Sequence, residues 1–438
     1  MPTSLSKNPA PTPLPTTLKA STSALVPAST KAPPPRAAFY ATTNAVANKP
    51  LPVVPLNIIW FDLADEFDEN TSKFTVKSPD FYWITVSSGV RSQADVSVKI
   101  VGAVPSVRLI RLSTAQVYQY APVVDVISRD ILANLDPSKA VYLETETAGS
   151  SSDAFGYQMS FAAYRLRDVA NTASVFYVAS YQSQIVIGKL DFMQNVHNFG
   201  NSYFDLTSDT YTCPSSGLYF FHLSLGAVAS YPVTVQIVTK TRVYEIRRES
   251  TNHNGLDTLS RSVMFECAGG DTVKTQMTSG QVSSNSDDFL VSFFGFKYQP
   301  QKIASTMFAA YRSTGWKAGG NVLKLDPISF DVIEQNNNFD GSYFTCVQQG
   351  IYQVYFSAGV KANDMLDVNL TIKRKSNTYI LADITRSSTN HNGTDIVGRS
   401  VLVNLDAGDV LYLFADSFTA FHSDTQGYPT SFMAMILY

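Results

Sequence analysis

The sequence predicts an all-β protein built from one domain written three times, and three observations predict it. The stretch Tyr211 to Gly226, YTCPSSGLYFFHLSLG, returns as Phe344 to Gly359, FTCVQQGIYQVYFSAG, and in worn form as Phe74 to Gly89, FTVKSPDFYWITVSSG. The copies begin at 74, 211 and 344, a period that belongs to whole domains rather than to a short solenoid repeat. Between the shared blocks lie short β-branched or aromatic runs split by Gly, Asn, Asp and Pro, with no helical period of useful length. The 438 residues agree, since roughly 150 residues per domain allow about three.

Residues 1–37 stand apart. They hold nine prolines, five serines, six threonines, six alanines, four cations and no acid. Such a segment cannot bury enough apolar surface to offset its ordering entropy, so a disordered tail is expected. It lacks the apolar core of a secretory signal. Three domains then follow over 38–168, 173–299 and 304–438. Each opens on a short apolar strand: Ala38-Phe39-Tyr40-Ala41, Val175-Phe176-Tyr177-Val178 and Met307-Phe308-Ala309-Ala310. Each closes on an aromatic one, beginning at Gly156, Phe289 and Gly427, and leaves linkers of about eight residues.

The long strand of each repeat alternates. Tyr82, Ile84 and Val86 match Tyr219, Phe221 and Leu223, and Tyr352, Val354 and Phe356; all nine are expected in the core. The opposite face carries Phe81 and Trp83, Leu218, Phe220 and His222, and Ile351 and Tyr355. Large apolar groups on a face that would otherwise be wet mark an interface. A late block reads VDVISRD from Val124, LDTLSRS from Leu256 and TDIVGRS from Thr394. Its Asp125/Arg129, Asp257/Arg261 and Asp395/Arg399 are four apart, on one face of a strand, and are expected to form structural ion pairs.

Composition excludes several functions. Net charge is −3, only 16% of residues are charged, and no basic block is long enough for a nucleic-acid face. No apolar run reaches the roughly 18 residues of a membrane helix. Cys213, Cys267 and Cys346 are too few for a disulfide framework or a four-cysteine zinc site. Cys213 and Cys346 share a position, as small buried residues or, for Cys213, in a bridge to Cys267 that leaves Cys346 free. No Gly-rich phosphate loop, G-x-S-x-G, H-E-x-x-H or C-x-x-C is present, so no enzyme is expected.

The candidate binding feature is a repeated loop, Asn252-His253-Asn254 and Asn390-His391-Asn392, each followed by Gly. Asn, His and Gly in a turn offer hydrogen-bonding groups on a rigid scaffold. One histidine per loop with no neighbouring acid is a poor metal site. Sequons lie at Asn70, Asn369 and Asn392, and a glycan on Asn392 would cover that loop.

Taken together, the opening FYA-type strand, the F/Y-T-x-x-x-x-G-x-Y stretch, the D-x-x-S-R-S strand with its Gly-Asp turn, and the closing G-Y-x-x-F strand resemble the globular head of complement C1q. The resemblance covers about 39–438 and is strong in the second and third copies; in the first, Asp80 replaces Gly217 and Gly350, and Pro137-Ser138 replaces the Gly-Asp turn. It implies three tandem jelly-roll β-sandwiches of the tumour-necrosis-factor-like kind that associate in threes, here within one chain or as homotrimers. It also implies an extracellular recognition role toward glycans or microbial surfaces, and admits Ca²⁺ near Asp257 and Asp395. The alternative is a structural assembly protein of a matrix, adhesive or particle shell.

Overall fold

The computed structural model describes residues 38–437 except 45–48, 91–93, 102–106, 115–124, 148–149, 153–157, 167–173, 199–202, 250–255, 286–289, 300–305, 318–327, 362–365, 387–393, 416–419 and isolated single positions. Its strands pair antiparallel and are arranged as three sandwiches of two main sheets each, the third with a further two-stranded sheet of Trp316–Lys317 and Ala420–Phe421.

The inner sheets share one strand order. In the second sandwich it runs Gln194–Asn198, Phe176–Ser180, Val291–Lys297, Gly217–Val228, Leu256–Cys267. The third repeats it as Val332–Asn336, Met307–Tyr311, Ser431–Ile436, Gly350–Lys361, Thr394–Leu405. The first repeats it as Ile58–Asp62, Ala38–Thr43, Met159–Arg165, Asp80–Val90, Asp125–Leu135. The opening strand of each sandwich therefore pairs with its closing strand. Register is kept as well: Val86 faces Arg129, Leu223 faces Arg261 and Phe356 faces Arg399. A slip of one residue would turn every apolar side chain outward, so three identical registers reflect one buried pattern.

The core of each sandwich holds the same aromatic cluster. Phe39 stacks on Phe67 and Phe74, Phe176 on Phe204 and Tyr211, and Phe308 on Phe339 and Phe344, with centroids 4.5–5.1 Å apart. The closing-strand Phe161, Phe293 and Phe432 meet these rings edge-on at 4.9, 5.1 and 4.7 Å. Both geometries suit the ring quadrupole. All nine alternating long-strand residues are buried. A second shared device is polar: Ser87 Oγ lies 2.7 Å from Ser160 Oγ, Ser224 2.8 Å from Ser292, and Ser357 2.7 Å from Ser431.

Cys213 and Cys267 form a disulfide, and Cys346 is free and buried. The bridge ties the Tyr211 strand region to the end of Leu256–Cys267; in the third sandwich Leu405 stands at the Cys267 position, so no bridge can form.

Candidate functional site

The outward faces of the long strands do not meet water. Trp83, Phe220, His222, Ile351 and Tyr355 are all under 5% exposed, Leu218 is buried and Phe81 is partly so. Trp83 of the first sandwich packs on Phe220, Phe294 and Phe296 of the second, at 4.3, 5.7 and 5.4 Å between centroids. Tyr298 of the second donates to the Ile436 carbonyl of the third at 2.5 Å. Ser128 of the first donates to Gly398 O of the third, and Ser260 of the second to Ser128 O, each at 2.7 Å.

At the centre of these contacts sits a layer drawn from all three sandwiches. Thr85, His222 and Tyr355 share one register position, and Asp130, Ser262 and Ser400 face them across the strand pairs. The Asp130 carboxylate accepts hydrogen bonds from Thr85 Oγ1 and, at 2.8 Å, from Ser400 Oγ. Asp130 N–H donates to His222 Nε2 at 3.2 Å, so the imidazole proton lies on Nδ1, 2.9 Å from Ser262 Oγ. Burial raises the Asp130 carboxyl to about 6 against the hydrogen bonds it accepts. Burial, helped by nearby Arg129, pushes His222 well below its ordinary range. Both groups are therefore held toward their neutral forms. Gly398 belongs to the same layer: a Cβ there would stand 2.4 Å from the Tyr355 hydroxyl, so this close approach requires glycine.

The arginines of the late block reach outward, not to the aspartates four residues earlier. Arg261 donates to Glu245 O in its own sandwich and to Gly427 O (2.7 Å) and Tyr428 O in the third. Arg129 Nη2 donates to Ser292 Oγ of the second at 3.1 Å. Arg399 donates to Asp383 O at 3.1 Å within its own sandwich. The expected Asp257/Arg261 and Asp395/Arg399 pairs are thus corrected. Asp257 and Asp395 both bind Arg248, at 2.8 and 2.5 Å, because its side chain comes in from the adjacent strand Val243–Arg248 and spans two sandwiches. Asp125 is buried, while Arg129 opposite Val86 turns toward the second sandwich. Arg248 is ion-paired with both carboxylates that the resemblance offered to Ca²⁺. Among the described residues no group of three His, Cys, Asp or Glu is placed to hold a metal ion.

The loops carrying Asn252, His253, Asn254, Asn390, His391 and Asn392 lie outside the described residues. His422 hydrogen-bonds Asp424 at 3.2 Å. Asp130, Gln353 and the paired serines are not singled out by the sequence, and Arg248, whose short basic pair Arg247-Arg248 reads as a solvated strand end, is instead buried. The serines were readable, since S-S-G and S-L-G end the first two long strands in phase with S-A-G. Gln353 was masked by its aromatic counterparts Trp83 and Phe220.

The middle sandwich carries a family signature. Residues 175–296 match the C1q domain. Among solved structures, the globular domain of a zebrafish complement 1qA protein is similar over 29% of this chain and 93% of its own, at 21% identity and a TM-score of 0.23. The structure titled "The Triple Jelly Roll Fold and Turret Assembly in an Archaeal Virus" is similar over 91% of this chain and 89% of its own, at 9% identity and a TM-score of 0.19. A protein of Sulfolobus Turreted Icosahedral Virus is similar over 88% of this chain and 92% of its own, at 9% identity and a TM-score of 0.17. No curated protein matches the chain. The C1q match spans the sandwich that contributes His222, Arg248 and Arg261.

Proposed function

We propose that the chain is a non-enzymatic recognition protein of the C1q-domain type, in which three C1q-like sandwiches close into an intramolecular pseudo-trimer. One observation carries this reading: hydrogen bonds run from Arg129 of the first sandwich to the second, from Arg261 of the second to the third, and from Ser400 of the third back to the first. A cyclic pattern of this kind belongs to a heterologous interface that closes on itself. Short linkers favour closure within one chain by holding the partner at an effective concentration of order millimolar. The Cys213–Cys267 bridge supports an oxidising, extracellular-type setting. Recognition of carbohydrate or microbial surfaces is assigned to the loops 252–254 and 390–392.

Light scattering tests the assembly: a mass near 48 kDa is expected, and 144 kDa (3 × 48) would mean homotrimers instead. A glycan array tests recognition, with binding expected to vanish when His253 and His391 become Ala. A structural assembly role is the second reading. It is favoured by Ile185 and Ile187, which are 68% and 66% exposed on the outer surface of the second sandwich. Native protein found only in particles or insoluble matrix would select it.

A further inference from the structure

Each sandwich lays one edge against the next, but the seams are not filled alike. Between the second and third sandwiches, the Tyr244 ring packs on Tyr311 across the seam at 5.2 Å and on Phe265 at 5.7 Å. Tyr244 pairs with Ile237, which pairs with Thr275. The same path in the third sandwich runs from Ala382 through Leu370 to Leu413. Ala382 therefore stands where Tyr244 stood. By the same reasoning Val403, facing Tyr352, stands where Phe265 faces Tyr219. Two rings are exchanged for a methyl and an isopropyl group, and Val403, at the Phe265 position, lines a space left open between the third and first sandwiches.

That opening is a cavity of about 370 Å³. One wall is aromatic, from Tyr40 and Trp60 of the first sandwich; the other is aliphatic, from residues of the third including Leu402 and Val403. Tyr40 and Leu402 are buried, whereas Trp60 and Tyr379 are 40% and 50% exposed at the mouth. The volume lies in the range of small-ligand pockets, roughly 300–1,000 Å³, which are mostly apolar with a few placed polar groups.

We infer that this seam is a binding site for an uncharged, ring-bearing amphiphile. Charge decides the class. The rim cation, Arg374, is committed to Asp409 through Nε at 2.9 Å and Nη2 at 2.7 Å, with Asp406 a further 3.8 Å away. Arg374 is the one charged residue among the described residues of the lining and is already paired with Asp409, so neither an anion nor a cation gains an unpaired partner there. A neutral molecule can stack a flat body on Trp60 and Tyr379, bury an apolar part against Leu402, and bond at the rim to Asn404 or to Arg374 Nη1. This site goes beyond the recognition reading, which rests on other loops.

N-phenyl-1-naphthylamine, an uncharged apolar fluorophore, tests the inference on the full chain. Saturable binding of one probe per chain is expected, with energy transfer from tryptophan. Val403→Phe, which copies the ring of the closed seam, should weaken it at least about tenfold, equivalent to roughly 1.4 kcal/mol. Tyr379→Ala, at an exposed position, should weaken it several-fold without moving the melting temperature. The double variant Tyr244→Ala/Phe265→Val, which copies both exchanges, should open the other seam and raise the stoichiometry toward two. No saturable binding to the native chain, or binding unchanged by both Val403→Phe and Tyr379→Ala, would overturn the site. The mass measurement addresses closure of the ring separately.

Discussion

Asp130 and His222 oppose one another with pH. The folded state holds the Asp130 proton more tightly than the unfolded chain, about 6 against 3.8. Its contribution is fully present below pH 4 and is lost as pH rises toward 6. His222 is depressed, so the unfolded chain takes up a proton first on acidification, and its contribution is lost as pH falls below 6.5. Between pH 4 and 6 the two slopes have opposite sign. Asp130→Ser, the residue of the other two copies, should leave a stability that falls with acid by up to about 1.4 kcal/mol per pH unit, read as a falling melting temperature. His222→Gln should give the opposite slope. Parallel profiles for the two variants would refute the coupling. Gln353 offers a second residue-scale prediction. Its amide is 2% exposed and has no hydrogen-bond partner among the described residues. Gln353→Leu removes an unsatisfied polar group and should stabilise the chain by about 1–2 kcal/mol in denaturant titration.

At the scale of elements, the disulfide closes a loop of 54 residues within one sandwich. Loop-closure entropy gives such a bridge about 4 kcal/mol, and measured values run about 2–4. The double variant Cys213→Val/Cys267→Leu, which copies the first sandwich, should lose that much by chemical denaturation while keeping its fold. Asn369 is predicted to stay unmodified even where glycosylation machinery acts. It lies mid-strand between Asp383 and Phe414, and its Nδ2 donates to Asp367. Asn70, exposed in a turn, is the expected acceptor, readable by mass spectrometry. The strands were legible because alternation writes burial directly, as at Tyr219, Phe221 and Leu223. The ion pairs were not. Four residues along a strand put Asp257 and Arg261 on one face, but the spacing says nothing of Arg248 arriving from a neighbouring strand or of carbonyls offered by another sandwich. The cavity was equally illegible, because Ala382 and Val403 gain meaning only when set against Tyr244 and Phe265 in register.

At the scale of the molecule, the arginines make one sandwich's integrity depend on another. Arg261 is fully buried and serves acceptors in two sandwiches, and bonds to a charged donor are each worth about 1.5–3 kcal/mol. Arg261→Ala should cost about 3 kcal/mol or more. Hydrogen exchange should also speed up around Gly427–Thr430, in the sandwich that accepts Arg261's bonds but does not contain it. Exchange confined to the second sandwich would show that the seam carries no such load. The unequal seams have a further consequence. In an assembly of identical subunits every substitution is repeated at each junction, so a change that suits one junction must suit all. Here Tyr244 and Ala382 are inherited separately, and each junction can drift toward its own task while its neighbours keep the assembly shut.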